Sequence, residues 1–322
     1  MNGIWIAVDL TVESKTLPST ICLRYAPHGH VFERQGTRHV NYITEDGHLH
    51  EMWLDSGGWH HSDFTTSEGA PVAKVLTPWS YAFETQYTQH VDYLGTDKHI
   101  HEMWWDTDGW HHNDLTENAQ GVAAAGAPTG FVFSADNTQH VFYTSADFHI
   151  HELVWSNGQW TDQDLTGSFG GPAVSNQSPR LAAVVLNQMK FLFFLSSDGH
   201  VWAMQAANGS WRPVDITAAA GTPAGADAFV CACVSEVENS VYIYYVNDSG
   251  NVFELWLGAA GWHADVLPTA LPADNAPITS YVSATGRTRQ VIYSRLGNLD
   301  LSALTWQPLI DRPPLRPGQG RS

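Results

Sequence analysis

The chain has 322 residues, with 33 acidic against 15 basic side chains. That balance argues against nucleic acid and anionic membrane surfaces as partners, since both select basic patches. Hydrophobic residues make up 43% and charged ones only 15%, which excludes a disordered chain.

The first residues, Met1-Asn2-Gly3-Ile4-Trp5, lack a basic region followed by an apolar run. No signal peptide is read there, so a cytoplasmic protein is expected, with any release by a non-classical route. No stretch is long and apolar enough to span a membrane. Trp5 to Thr11 reads as a single strand. The three cysteines, Cys22, Cys231 and Cys233, make no spaced disulfide framework, and the last two read as buried thiols on one strand face.

From about residue 20 the sequence repeats. Three copies match closely: His39 to Thr65, His90 to Thr116 and His140 to Thr166. Weaker copies run from Phe191 to Thr217 and from Tyr242 to Leu267. A Trp recurs at 59, 110, 160, 211 and 262, a period of 50 or 51 residues. So regular a period means a repeat architecture, and a site built on repeated residues is built several times. Within the third copy, four short runs are separated by Ala135-Asp136-Asn137, Ser145-Ala146-Asp147 and Ser156-Asn157-Gly158. The runs are Gly130 to Ser134, His140 to Thr144, His149 to Trp155 and Trp160 to Leu165. Runs rich in Val, Ile, Phe, Tyr and Trp between such turn residues read as strands joined by hairpins. No sustained 3.6-residue pattern predicts helix.

Four antiparallel strands per repeat make one blade of a β-propeller, whose neighbours cover both of its faces. A sixth set follows: Ile278 to Val282, Gln290 to Tyr293 and Asn298 to Leu304. The fold expected is all-β, a six-bladed β-propeller spanning residues 1–311, with the Trp5 strand closing the ring. Residues 312–322, rich in Pro, Arg and Gly, read as a tail. Trp306 to Ile310 is an alternative fourth strand, and seven blades is the competing count.

The third strand of each unit carries the sharpest signal. In His99-Ile100-His101-Glu102-Met103-Trp104-Trp105, alternation sets Ile100, Glu102 and Trp104 on one face and the histidines on the other. A carboxylate on an apolar face needs partners. It recurs as Glu51, Glu102, Glu152 and Glu254, and Ala203 and Leu301 replace it in the fourth and sixth units. Two readings stay open: a structural carboxylate bonded to a backbone amide of the next blade, or a pocket between blades where Glu holds a ligand's hydroxyls. The paired histidines, His48 and His50, His99 and His101, His149 and His151, sit as metal ligands could. The later units lack the pairs, so packing against a neighbouring blade is the reading taken, and no metal or cofactor is assigned.

His39, His90 and His140 lie twelve residues before Glu51, Glu102 and Glu152. Trp59, Trp110, Trp160 and Trp262 lie eight after a Glu, and Trp105 and Trp155 lie three after. In these spacings the chain resembles the fungal fucose-specific lectins of the Aleuria aurantia type, from about residue 20 to 305. Those have a basic residue twelve before the pocket Glu and an aromatic eight after it. The resemblance implies a six-bladed lectin with pockets between consecutive blades, and fucosylated glycans or glycoproteins as partners. A homodimer is left open. It implies sugar-binding roles for His39, Glu51, Trp59, His90, Glu102, Trp105, Trp110, His140, Glu152, Trp155, Trp160, Glu254 and Trp262. The family has Arg where this chain has His. A bacterial seven-bladed group shares the short motif seen at Glu254-Leu255-Trp256. No catalytic residues are read: the carboxylates are distributed by the repeat, whereas a retaining glycosidase needs a pair at one centre. The rival class is a propeller for protein interaction, and a propeller glycosidase stands behind it.

Overall fold

A computed structural model describes residues 27–306, apart from 177–179, 208, 226–229, 268–277, 283–288 and 295–300. Each repeat folds as an antiparallel meander. The first blade is β1 (His28–Phe32), β2 (Thr37–Ile43), β3 (Leu49–Asp55) and β4 (Gly58–Asp63). The second is β5 (Trp79–Phe83), β6 (Thr88–Leu94), β7 (Ile100–Asp106) and β8 (Gly109–Asp114). The third is β9 (Thr129–Phe133), β10 (Thr138–Thr144), β11 (Ile150–Ser156) and β12 (Gln159–Asp164). The fourth is β13 (Leu181–Leu186), β14 (Met189–Leu195), β15 (Val201–Ala207) and β16 (Ser210–Asp215). The fifth is β17 (Cys231–Ser235), β18 (Ser240–Val246), β19 (Val252–Gly258) and β20 (Gly261–Val266). The sixth has three described strands, β21 (Ile278–Val282), β22 (Arg289–Ser294) and β23 (Leu301–Trp306). This is the six-bladed propeller expected. Trp306 ends β23, paired with Arg289 on β22, so it does not open a fourth strand. The Trp5 strand, Cys22 and the tail lie outside the described residues.

The first strands of successive blades lie against one another in order, β1 to β5 to β9 to β13 to β17 to β21, so they form the inner wall. Between consecutive blades sits one apolar cluster each. Ile43, Phe64 and Tyr93 join blades one and two; Ile100, Leu115 and Tyr143 join two and three. Phe142, Phe194 and Trp211 join three and four; Phe193, Ala203 and Tyr245 join four and five; Tyr244, Val252 and Ile278 join five and six. Second strands such as β6, β10 and β18 are buried throughout, because a blade is covered on both faces.

The fourth runs stop earlier than the pattern suggests. In the first four blades each ends at an Asp, and a one-turn helix begins at the next residue: α1 (Phe64–Ser67), α2 (Leu115–Ala119), α3 (Leu165–Phe169) and α4 (Ile216–Ala220). The Asp side chains cap them. Asp63, Asp114, Asp164 and Asp215 accept from the amides of Thr66, Glu117, Gly167 and Ala218. The Thr two positions after each Asp accepts from the first amide of the third strand, as Thr116 does from Ile100 at 2.8 Å. Linkers then clip neighbouring blades together: Ala73 donates its amide to Gly47 of the first blade and bridges Gly95 of the second. Gly47 has φ of +82°, and a Cβ there would meet the Ala73 carbonyl at 2.6 Å, so only glycine fits.

Candidate functional site between the blades

Alternation across β2 and β3 brings the spaced His and Glu together on the face that looks toward the following blade. His39 Nδ1 meets Glu51 Oε1 at 2.9 Å, His90 meets Glu102 at 2.7 Å and His140 meets Glu152 at 2.7 Å. All six residues are buried, none more than 4% exposed. The other ring nitrogen of each His bonds a Thr two residues earlier. Thr37, Thr88 and Thr138 stand 2.7, 2.8 and 2.8 Å from Nε2. Both ring nitrogens of each His are therefore occupied within its own blade. The His acts as a bracket for the carboxylate, where the sequence pattern suggested a donor reaching a ligand. The recurring Thr was the overlooked signal.

The carboxylates bond onward. Glu102 Oε2 accepts from the Asn113 side chain at 2.8 Å. Glu152 Oε2 accepts from Trp211 Nε1 of the next blade at 2.9 Å. Of the two open readings of the Glu, these bonds show a wall residue with defined partners, bonded to side chains and not to a backbone amide. Glu254 lacks a His. Tyr244 donates to it at 2.7 Å, and Arg289 of the sixth blade lies 3.4 Å away while stacking on Tyr242. Burial pushes the Glu254 carboxyl up from its ordinary value, with Tyr244 and Arg289 opposing. Asp92, opposite Glu102 on the neighbouring strand, is fully buried; burial and then the Glu102 charge push its carboxyl well up.

Register also decides where the tryptophans go. Trp155 and Trp160 are direct cross-strand partners, as are Trp105 and Trp110, so each pair shares a face with Leu153 or Met103. That face looks back to the preceding blade, opposite to the face of the Glu. Trp110 packs on Phe64 of the first blade with ring centroids 4.4 Å apart, and Trp105 lies near Phe32. Trp262 packs against the apolar interface between blades four and five, edge-on to Phe193. Trp59 is half-buried and stands directly across from Leu54. A Glu and the Trp eight residues later are thus on opposite sides of one blade. The structure joins a Glu with the aromatics of the next blade; it adds Trp211, which the repeat marked but no Glu spacing did, and Asn113 and Lys190, which neither marked. Lys190 reaches His140 Nε2 at 3.0 Å.

One open pocket of about 770 Å³ lies between the second and third blades. Trp155, Gln159, Trp160 and Asp162 line it from the third blade, and Asn113, Asn118 and Gln120 from the second. Through Asn113 it connects to Glu102, His90 and Thr88 behind it. Two further pockets of about 490 and 480 Å³ flank the β13–β14 hairpin of the fourth blade. The first of these includes Glu238, Tyr242 and Trp256, and the second Phe133, Asp136 and Lys190.

The paired histidines bond within their own blade, contrary to the packing against a neighbour expected of them. His48, His99, His149 and His200 hold the capping Asp of the same blade at 2.7–2.9 Å. His50 and His101 meet His61 and His112, each at 3.1 Å, and His151 meets Asp162 at 2.9 Å. Burial opposes ionisation of Asp63, yet the bonds from His48 and Thr66 outweigh it and hold its carboxyl at about 2. On the inner strand, burial pushes His28 down to about 4 and His30 to about 3. Among the described residues no helix is long and apolar enough to cross a membrane.

No family model and no curated protein matches this sequence. Solved structures do match. A protein called AofleA from Arthrobotrys oligospora aligns over 91% of this chain and 85% of its own, with 16% identity and a TM-score of 0.61. The lectin of Aleuria aurantia, solved as a mutant in complex with Fucα1-6GlcNAc, aligns over 90% and 94%, with 15% identity and a TM-score of 0.60. The sialidase of Trypanosoma rangeli with the inhibitor DANA aligns over 89% of this chain and 54% of its own, at 7% identity and a TM-score of 0.55. At these identities the likeness establishes the six-bladed fold and nothing finer.

Proposed function

We propose that this protein is a lectin, a non-catalytic propeller that holds glycans in pockets between consecutive blades. The observation that carries the reading is the pocket between blades two and three. It sets Trp155 and Trp160 opposite the side-chain amides of Asn113, Asn118 and Gln120, with Gln159 and Asp162 beside them. A sugar ring offers a C–H face that stacks on indole and hydroxyls that need fixed donors and acceptors. Asn113 is fixed because Glu102 holds its amide, His90 holds Glu102, and Thr88 holds His90. Such a supporting chain is what a precise polar contact requires.

In this reading the sugar touches Trp155, Trp160 and Asn113, and His90 and Glu102 position Asn113. His39 with Glu51, and His140 with Glu152, are the equivalent supports at the neighbouring interfaces, where Trp105, Trp110 and Trp211 supply the aromatics. Glu254 and Trp262 belong to interfaces with other partners and take no sugar contact in this assignment. Fucose or a fucose-like sugar, on fucosylated glycans or glycoproteins, is the ligand to test first. Two observations support it: the His, Glu and Trp spacing, and the fold shared with a lectin solved with a fucosylated disaccharide.

A glycan array with the purified chain, followed by titration with methyl α-L-fucoside, tests the reading. Binding to fucosides with more than two sites per chain is expected. Trp160→Ala and Trp155→Ala should each weaken the affected pocket roughly tenfold, about 1.4 kcal/mol. An array with no glycan ligand would favour an interaction propeller, and release of sugar from the array would favour a glycosidase.

A further inference from the structure

Away from the inter-blade pockets, the rim histidines gather round the helix-capping aspartates. In the first blade His48, His50 and Asp63 each bring one ligand atom into a group whose members all lie within 4.8 Å of one another. His48 Nδ1 is 2.9 Å from Asp63 Oδ2, and His50 Nδ1 is 3.1 Å from His61 Nε2. We propose that His48, His50 and Asp63 bind a divalent transition-metal ion of the zinc type, with a fourth position open to solvent. Two imidazoles and one carboxylate suit a borderline ion, and three protein ligands with an open position is a regular zinc arrangement.

The surroundings fit that use. Thr66 fixes both Asp63 oxygens, its amide on Oδ1 at 3.1 Å and its hydroxyl on Oδ2 at 2.7 Å, with Oδ2 facing His48. His61 restrains the ring of His50, as outer partners restrain metal ligands. His50 is 6% exposed, and burial favours the neutral imidazole whose lone pair a metal needs. His48 and Asp63 are a third and a quarter exposed, which gives the ion an entry path.

The second blade offers a related group, with one imidazole and two carboxylates. Asp97, His99 and Asp114 form a group within the same 4.8 Å limit. His101 stands 3.1 Å from Asp97 Oδ2 and 3.1 Å from His112 Nε2. In the fourth blade Trp202 and Pro213 stand where the first blade has His50 and His61, so His200 meets Asp215, with Asp198 accepting its backbone amide, and there is no second imidazole. It is a built-in control for a His–Asp pair without the second imidazole.

The test uses the full chain, stripped of metal by chelation and titrated with Zn²⁺ by calorimetry and with Co²⁺ by visible absorption. Two saturable ions per chain are expected, with cobalt bands that show nitrogen and oxygen ligation. His50→Gln should remove one equivalent, the pair His50→Gln and His99→Gln both, and His200→Gln neither. Absence of saturable uptake overturns the proposal, as does uptake unchanged in the double variant or lost equally in His200→Gln. If the double variant does not fold, imidazole ¹⁵N shifts of the wild-type chain decide. Movement of His48 and His50 signals on adding Zn²⁺ supports the site, and unchanged signals overturn it.

Discussion

Glu102 is 2% exposed, and His90 and Asn113 are what make that burial tolerable. A buried carboxylate without partners is costly, and removing one partner of a buried pair destabilises by roughly 3–5 kcal/mol. His90→Ala should therefore lower stability by about 3 kcal/mol, measured by denaturant unfolding. Replacing both members with Leu should recover much of that loss, because no charge is then stranded. A small effect of His90→Ala would mean that Glu102 finds solvent, and that the bracket does not support the pocket. The spacing of twelve made this pair legible from sequence alone. Its role was not, because a His twelve before a Glu looks the same whether its ring faces a ligand or a Thr.

The fourth strand and its one-turn helix form a unit held by one carboxylate. In the fourth blade Asp215 Oδ1 caps the Ala218 amide at 2.8 Å, and Oδ2 takes His200 Nδ1 at 2.7 Å. The Asp215 bond raises the His200 pKa above its ordinary 6.5, against partial burial. A raised His contributes stability fully present below pH 6.5 and lost as pH rises through the raised value. Wild type should thus exceed His200→Asn in melting temperature at pH 5.5 to 6, and the gap should close as pH climbs above neutrality. Because the pair is about a third exposed, solvent screens it and the gap should stay below about 1 kcal/mol. Asp215→Ala should cost about 1 kcal/mol through the lost cap above neutrality, and more at pH 5.5 to 6, where the His200 contact is lost with it. The strand pattern did not show this helix, since a four- or five-residue turn has no room for a 3.6-residue period.

Across the ring, the interfaces differ in kind. Those after blades one, two and three carry the Thr, His and Glu bracket. The interface after blade four holds Ala203, Phe191 and Phe193 against Trp262 and is apolar. Ala203→Glu would place a carboxylate there with Phe191 where the third blade has His140. A loss of several kcal/mol is expected, read as a lower melting temperature with no new sugar site. If that variant is as stable as wild type, the blade interfaces are looser than their packing implies. Clustering of sites on one rigid ring should also show as avidity: binding to a dense fucosylated surface should exceed binding to the monovalent sugar by about 10²-fold or more.

The sequence by itself determined the repeat, the strand count per blade, the propeller and the face on which each Glu lies. All of these follow from periods of about fifty and of two, which are properties of the chain. Tertiary structure decided which groups meet. Within one blade the Glu and the Trp eight residues on point in opposite directions, so Glu152 finds Trp211 across 59 residues. A spacing within a repeat cannot report a contact between repeats, because that contact depends on how blades pack around the axis. The same packing set Asn113 beside the third-blade tryptophans, while the pairing of β3 with β4 inside one blade brought Asp63 to His48 and His50.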